Sequence, residues 1–300
     1  MGDVLAGSHA AWEFETDTDA GSRSVLIRYE RGLRTPKLFA ALGERRVPLA
    51  AVADVTLEEG RRGSVVLRLV PRPGADPLTE AAAGQLKESC DPYRLTLPPD
   101  AESLARRCAD ELRAALPASG PAERFLVDAP EVPLSFKAYD AKASFDGRTV
   151  RFRWFWTGAS SAKWKAGDQR FAVSDLCGVE WRSPEAAEGH LRLLPRDAPA
   201  DGDPAPTDRD PASVVFGPGY GAVHESLPFA AAVLAAVRPR SAVTAAAAGS
   251  GVGAVTAVPA PRPDPAEVAA RIRHLGELRG AGLVTDAEFS AKKAELLSEL

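Results

Sequence analysis

Two stretches of the chain concentrate groups that bind anions. Residues 23–46 carry Arg23, Arg28, Arg31, Arg34, Lys37, Arg45 and Arg46 against only Glu30 and Glu44. Residues 142–170 carry Lys142, Arg148, Arg151, Arg153, Lys163, Lys165 and Arg170 against Asp146 and Asp168. Both are strongly basic within a chain of net charge −4. The planar guanidinium fork suits a phosphate or a carboxylate. The candidate set for an anionic ligand or acidic partner is Arg28, Arg31, Arg34, Lys37, Arg45, Arg46, Arg151, Arg153, Lys163, Trp164 and Lys165. Trp164 between two lysines makes a basic–aromatic tip of the kind that rests in a lipid interface. A solvated polar face accounts for the same residues without a ligand, because Arg151 and Arg153 alternate along a strand pattern and point outward.

Other chemistries find little support. The three cysteines, Cys90, Cys108 and Cys177, are too far apart for a paired-cysteine metal site, and the four histidines are isolated. Cys108 and Cys177 read as structural. Asp201, Asp203, Asp208 and Asp210 hint at calcium, but intervening prolines contradict an EF-hand loop. No nucleophile elbow, HExxH or phosphate-loop motif is present. Phe152, Trp154 and Trp156 are spaced two apart, which fits core packing or a stacking platform. The expectation is a non-enzyme without cofactor or metal. Net acidity argues against nucleic acid as a partner.

The elements that must carry these residues come in duplicate. Residues 43–72 and 167–196 align without a gap, led by LRLVPR and LRLLPR. The series extends upstream, where Val25, Ile27, Arg28 and Tyr29 face Val150, Phe152, Arg153 and Trp154. Downstream, Asp91-Pro92 and Asp210-Pro211 each open a short apolar strand. One position departs: Gln169 stands where the first copy has Arg45.

WEFE, SVLIRYE, SVVLRLV, YRLTL, TVRFRWFW, HLRLLP and SVVF alternate as strands do. Each copy closes in a helical pattern. In the first, Asp100 is the expected cap and Leu104, Cys108, Leu112 and Leu116 form one stripe. The second, Ser226 to Val237, has Pro228 in its expected first turn and is apolar most of the way round, so it should be more buried. Residues 73–91 and 197–210 read as looser insertions. The expected modules are residues 8–118 and 125–240.

Residues 241–263 are Ala, Gly, Ser, Val, Thr and Pro with Arg262 the lone charge, and read as a disordered linker. Residues 264–300 read as a helical hairpin with two capping boxes, at Asp264–Glu267 and Thr285–Glu288. Its apolar residues Ile272, Leu275, Leu278, Leu283, Phe289, Leu296 and Leu297 bury little area alone, so the hairpin should seek a partner or another copy. The start of the chain lacks a signal-peptide pattern, and the longest apolar run, Phe229 to Val237, is about half a membrane span. A cytoplasmic protein is expected.

The run Leu275-x-x-Leu278, Gly282-Leu283-x-Thr285-x-x-Glu288-Phe289 and Lys292-Lys293 resembles the short C-terminal SHOCT domain of bacterial proteins. That resemblance implies oligomerisation or partner docking. GERRVPLAAVADV, LRLVPRPGADPL, DPYRLTL and SFDGRTVRFRWFW resemble an uncharacterised bacterial family of tandem pleckstrin-homology-like modules, a domain of unknown function. The expected architecture is therefore α+β, mainly β. It comprises two tandem PH-like partial barrels, each closed by a C-terminal helix, then the flexible linker and the two-helix hairpin. The expected function is a binding scaffold for a protein or anionic ligand. The alternative is a peripheral membrane adaptor using the basic hairpins.

Overall fold

In a computed structural model, residues 4–16, 23–117, 120–197 and 205–238 are described. All belong to one compact unit, Met1–Val243. The linker and the 264–300 hairpin, with Ile272, Leu275, Leu278, Leu283, Phe289, Leu296 and Leu297, lie outside the described residues.

The first copy begins with β1 (Val4–Ala6), β2 (Ala10–Thr16), β3 (Arg23–Tyr29), α1 (Lys37–Leu42) and β4 (Glu44–Pro48). It continues through β5 (Val52–Glu59), β6 (Val65–Pro71), α2 (Pro77–Ala82), β7 (Arg94–Leu97) and α3 (Glu102–Ala115). The second copy repeats the first half as β8 (Leu134–Lys137), β9 (Ala141–Phe145), β10 (Thr149–Trp154), α4 (Ser161–Ala166) and β11 (Gln169–Ala172). It ends with β12 (Leu176–Arg182), β13 (His190–Pro195), β14 (Ser213–Val215) and α5 (Val223–Val237). Among the described residues, α2 has no helical counterpart in the second copy.

The described chain is mainly β. Four antiparallel sheets run in the orders β1-β2-β3-β4, β5-β6-β7, β11-β10-β9-β8 and β12-β13-β14, and none closes into a barrel. Period-two patterning sets their faces. Val25, Ile27 and Tyr29 of β3 point into the first core, and Val150, Phe152 and Trp154 of β10 into the second. The register slips at Val52/Asp54 in one copy and at Leu176/Gly178 in the other, so a bulge bends both sheets at the matched position.

The closing helices differ as their sequences do. On α3 the buried residues are Ala105, Cys108, Ala109 and Leu112, one stripe of an amphipathic helix. On α5 every residue from Ser226 to Leu234 is buried. The reason lies in the first copy. Helices α1 and α2 pack on α5, and α2 also meets β12. Leu38, Leu78, Ala81 and Ala82 thereby join the second copy's core. Polar clamps flank this seam. Gln85 Nε2 donates to the Trp181 carbonyl at 2.9 Å, and Ser183 N–H donates to Gln85 Oε1 at 2.9 Å. Lys87 pairs with Glu185 at 3.0 Å.

Several expectations need correction. Asp100 does not cap α3. A 3-10 turn over Pro99–Ala101 leads in, and Ala101 holds the cap position without a side-chain bond. Helix α5 starts at Val223, so Pro228 lies inside it and costs one backbone bond. The 73–91 insertion is not a plain loop, because Asp76 caps α2 through Leu78 N–H and Thr79 N–H, both at 3.1 Å. Cys177 is exposed rather than structural. Strand β10 ends at Trp154, so Trp156 leaves the shared face and is 38% exposed. No helix among the described residues is long and apolar enough to cross a membrane.

Candidate binding face

Strand pairing, rather than sequence proximity, decides which cations meet. On the outer face of the β8–β11 sheet, Lys137 lies opposite Lys142, which lies opposite Arg153. In the neighbouring row Ser144 lies opposite Arg151, which lies opposite Arg170. All five basic side chains are exposed. Asp146 approaches Arg151 at 3.4 Å, and Asp168 accepts from Trp154 N–H at 3.1 Å. The carboxyl of Asp146 is held below its usual range chiefly by the Arg148 N–H it accepts. Like charges placed directly opposite on a sheet repel and weaken the pairing. Lys137 opposite Lys142 therefore carries an electrostatic cost that packing does not require.

The matching face of the first copy has no such cost. Arg28 pairs with Glu13 and Glu44, and Arg46 pairs with Glu15. Two arginines meet three glutamates. The register shows what changed between the copies. Ala6 and Ala11 stand where Lys137 and Lys142 stand, and Glu13 stands where Ser144 stands.

Arg45 and Lys163 are not on any face. Arg45 is 6% exposed and its Nη2 donates to Asp76 Oδ1 at 2.6 Å, while Tyr93 OH donates to Asp76 Oδ2 at 2.9 Å. Burial opposes the Arg45 charge, and Asp76 more than restores it, leaving the guanidinium above its usual range. The cluster ties α2 to the first core, whereas Gln169 at the equivalent position donates to the Ala166 and Gly167 carbonyls at 2.9 and 2.8 Å. Lys163 is fully buried, and its Nζ donates to Asp140 Oδ2 at 2.6 Å over the Trp154 ring. Burial pushes Lys163 down and Asp140 up, against their mutual attraction.

The remaining predicted residues are dispersed. Arg31, Arg34 and Lys37 are exposed around a fully exposed Leu33. Lys165 is exposed, and half-buried Trp164 meets Trp156 edge-on at 5.0 Å. The structure thus groups Arg151 and Arg153 with Lys137, Lys142 and Arg170. It separates them from Lys163, and it neutralises Arg28 and Arg46. Lys137 went unnoticed because β8 precedes the charge-rich stretch, and Glu13 and Glu15 because they precede the other. Their signal was the strand alternation of LSFK and WEFE. Asp210 pairs with Arg192 at 3.0 Å, while Asp201 and Asp203 lie outside the described residues. Among the described residues no group of three or more His, Cys, Asp or Glu is placed to hold a metal ion.

The profile of one family, described as "Domain of unknown function (DUF4429)", matches the chain twice, over residues 19–113 and 143–234. No curated protein matches it.

Proposed function

We propose that this chain, which belongs to the DUF4429 family, is a non-enzymatic cytoplasmic binding scaffold whose second copy recognises an acidic protein partner. The observation that carries this reading is the exposed Lys137–Lys142–Arg153 row beside Arg151 and Arg170. An acidic partner relieves the repulsion between Lys137 and Lys142, so binding and local stability gain together. The order of four strands, three strands and a helix in each copy supports describing both as PH-like modules. The SHOCT-like hairpin then multiplies weak contacts by bringing copies of the chain together.

Two measurements test this. Binding of full-length protein to immobilised poly-glutamate should weaken steeply with salt, and Lys142→Glu with Arg153→Glu should abolish it. Arg28→Glu, on the balanced face, should leave it intact. Equal loss from both would refute the assignment to the second copy. In light scattering, a chain ending at Val258 should be smaller in subunit number than the full chain. Equal numbers remove the assembly role of the hairpin.

A second reading rests on Leu33, fully exposed between Arg31 and Arg34. An apolar tip with basic flanks fits a peripheral adaptor on anionic lipid. Flotation with phosphatidylserine vesicles, lost on reversing Arg31, Arg34 and Lys37, would favour it over the acidic partner.

A further inference from the structure

Where the second copy holds a buried carboxylate, the first copy has an open cavity at the equivalent position. Glu30 N–H donates to the His9 carbonyl at 2.9 Å, as Phe155 N–H donates to the Asp140 carbonyl at 2.8 Å. Ser8 N–H donates to the Thr96 carbonyl at 2.9 Å, as Tyr139 N–H donates to the Val215 carbonyl at 2.9 Å. His9 is therefore the equivalent of Asp140, and Thr96 of Val215. Phe39 and Lys163 are each the third residue of their short helices, α1 and α4. Phe39 stacks on Tyr29 at 4.9 Å, where Lys163 lies over Trp154 at 5.1 Å.

In the second copy the corner is filled from within. Asp140 Oδ1 accepts the Val215 N–H at 2.9 Å, and Oδ2 accepts Lys163 at 2.6 Å. In the first copy both the carboxylate and the lysine are missing, His9 and Phe39 standing in their places. The Leu69 N–H to Tyr93 carbonyl bond sets the phase of the β6–β7 ladder, and Thr96 faces Val66 in the register that turns its N–H away from β6. That N–H has no protein acceptor among the described residues. Thr96 lines a cavity of about 340 Å³ together with His9, Arg34 and Arg94. Arg94 Nη1 donates to Thr96 Oγ1 at 3.2 Å, which holds the guanidinium beside it. The acidic lining groups are Glu88 and Asp91, and Asp91 is engaged by Arg68 at 2.9 Å and by Tyr93 N–H at 3.0 Å.

We propose that this cavity binds a carboxylate supplied from outside the chain, a free organic acid or an acidic side chain. The carboxylate takes the place that Asp140 takes in the second copy, with Thr96 N–H on one oxygen and Arg34 and Arg94 meeting its charge. The site lies in the first copy, and does not depend on the charged face of the second.

The test titrates full-length, ¹⁵N-labelled protein with sodium acetate at constant ionic strength, following the Thr96 amide. A blocked aspartyl amide tests the side-chain source, and inorganic phosphate tests anions in general. A saturable Thr96 shift with either carboxylate supports the site, and the tighter of the two identifies its source. Arg34→Ala should weaken binding about tenfold, the loss of one charge-assisted contact. The double variant His9→Asp, Phe39→Lys installs the second copy's own pair and should abolish binding. If that variant fails to fold, Arg34→Ala alone decides. No saturable response to either carboxylate, equal binding of phosphate, or unchanged affinity in the variants overturns the proposal.

Discussion

Lys163 and Asp140 show how a single position can reverse its meaning on folding. A lysine beside a tryptophan in a basic stretch looks like a surface contact. Here it is fully buried, bonded to one carboxylate at 2.6 Å. Removing one partner of such a pair leaves an uncompensated buried charge, which costs about 3–5 kcal/mol. Lys163→Met should lose that much in urea unfolding, and adding Asp140→Ala should recover part of it. A single-variant loss below about 1 kcal/mol would mean that water reaches the pair. Arg45 poses the same question in the other copy. Arg45→Gln, which copies the residue found at position 169, should destabilise by a similar ~3–5 kcal/mol through the stranded Asp76. Lys142→Glu should raise the urea midpoint slightly, because it turns the Lys137–Lys142 repulsion into an attraction.

At the scale of elements, the seam between copies depends on a six-residue helix. Helix α2 is short, and short helices are marginal on their own. It persists because Asp76 caps its start, Pro77 suits the first turn and Leu78 is fully buried against the second core. Leu78→Ala should cost about 2–5 kcal/mol. Because Leu78 belongs to a core shared with α5, hydrogen exchange should rise in both copies. A rise confined to α2 would show that the helix docks without coupling the copies. Gln85→Ala removes both clamps to Trp181 and Ser183 and should act in the same direction.

At the scale of the molecule, the two copies are unequal partners. The second copy's closing helix is apolar around most of its circumference, and among the described residues the first copy's α1 and α2 cover its outer side. Expressed alone, residues 125–240 should expose that side and associate or precipitate. Residues 1–118 expressed with them should restore a soluble pair, readable by size exclusion. A soluble, monomeric 125–240 would show that the covering is dispensable. The charge asymmetry follows the same division. One sheet face pairs its arginines with glutamates across its strands, and its duplicate sets Lys137 opposite Lys142 with both exposed.

The duplication, the strands and the two closing helices were legible in the sequence, because period-two and period-3.6 patterns depend only on local geometry. So was the deeper burial of the second helix, written in its unbroken apolar run from Phe229 to Val237. What covers that helix was not legible, since α2 lies some 150 residues away within an insertion that looked like a loop. Nor was the fate of the cations. Counting charge along the chain grouped Lys163 with Arg151 and Arg28 with Arg46. Pairing across strands buried the first, joined the second to Lys137 and Lys142, and gave the last two to Glu13, Glu44 and Glu15. Charge acts through space over a few ångströms, so only the tertiary arrangement decides which ions are neighbours.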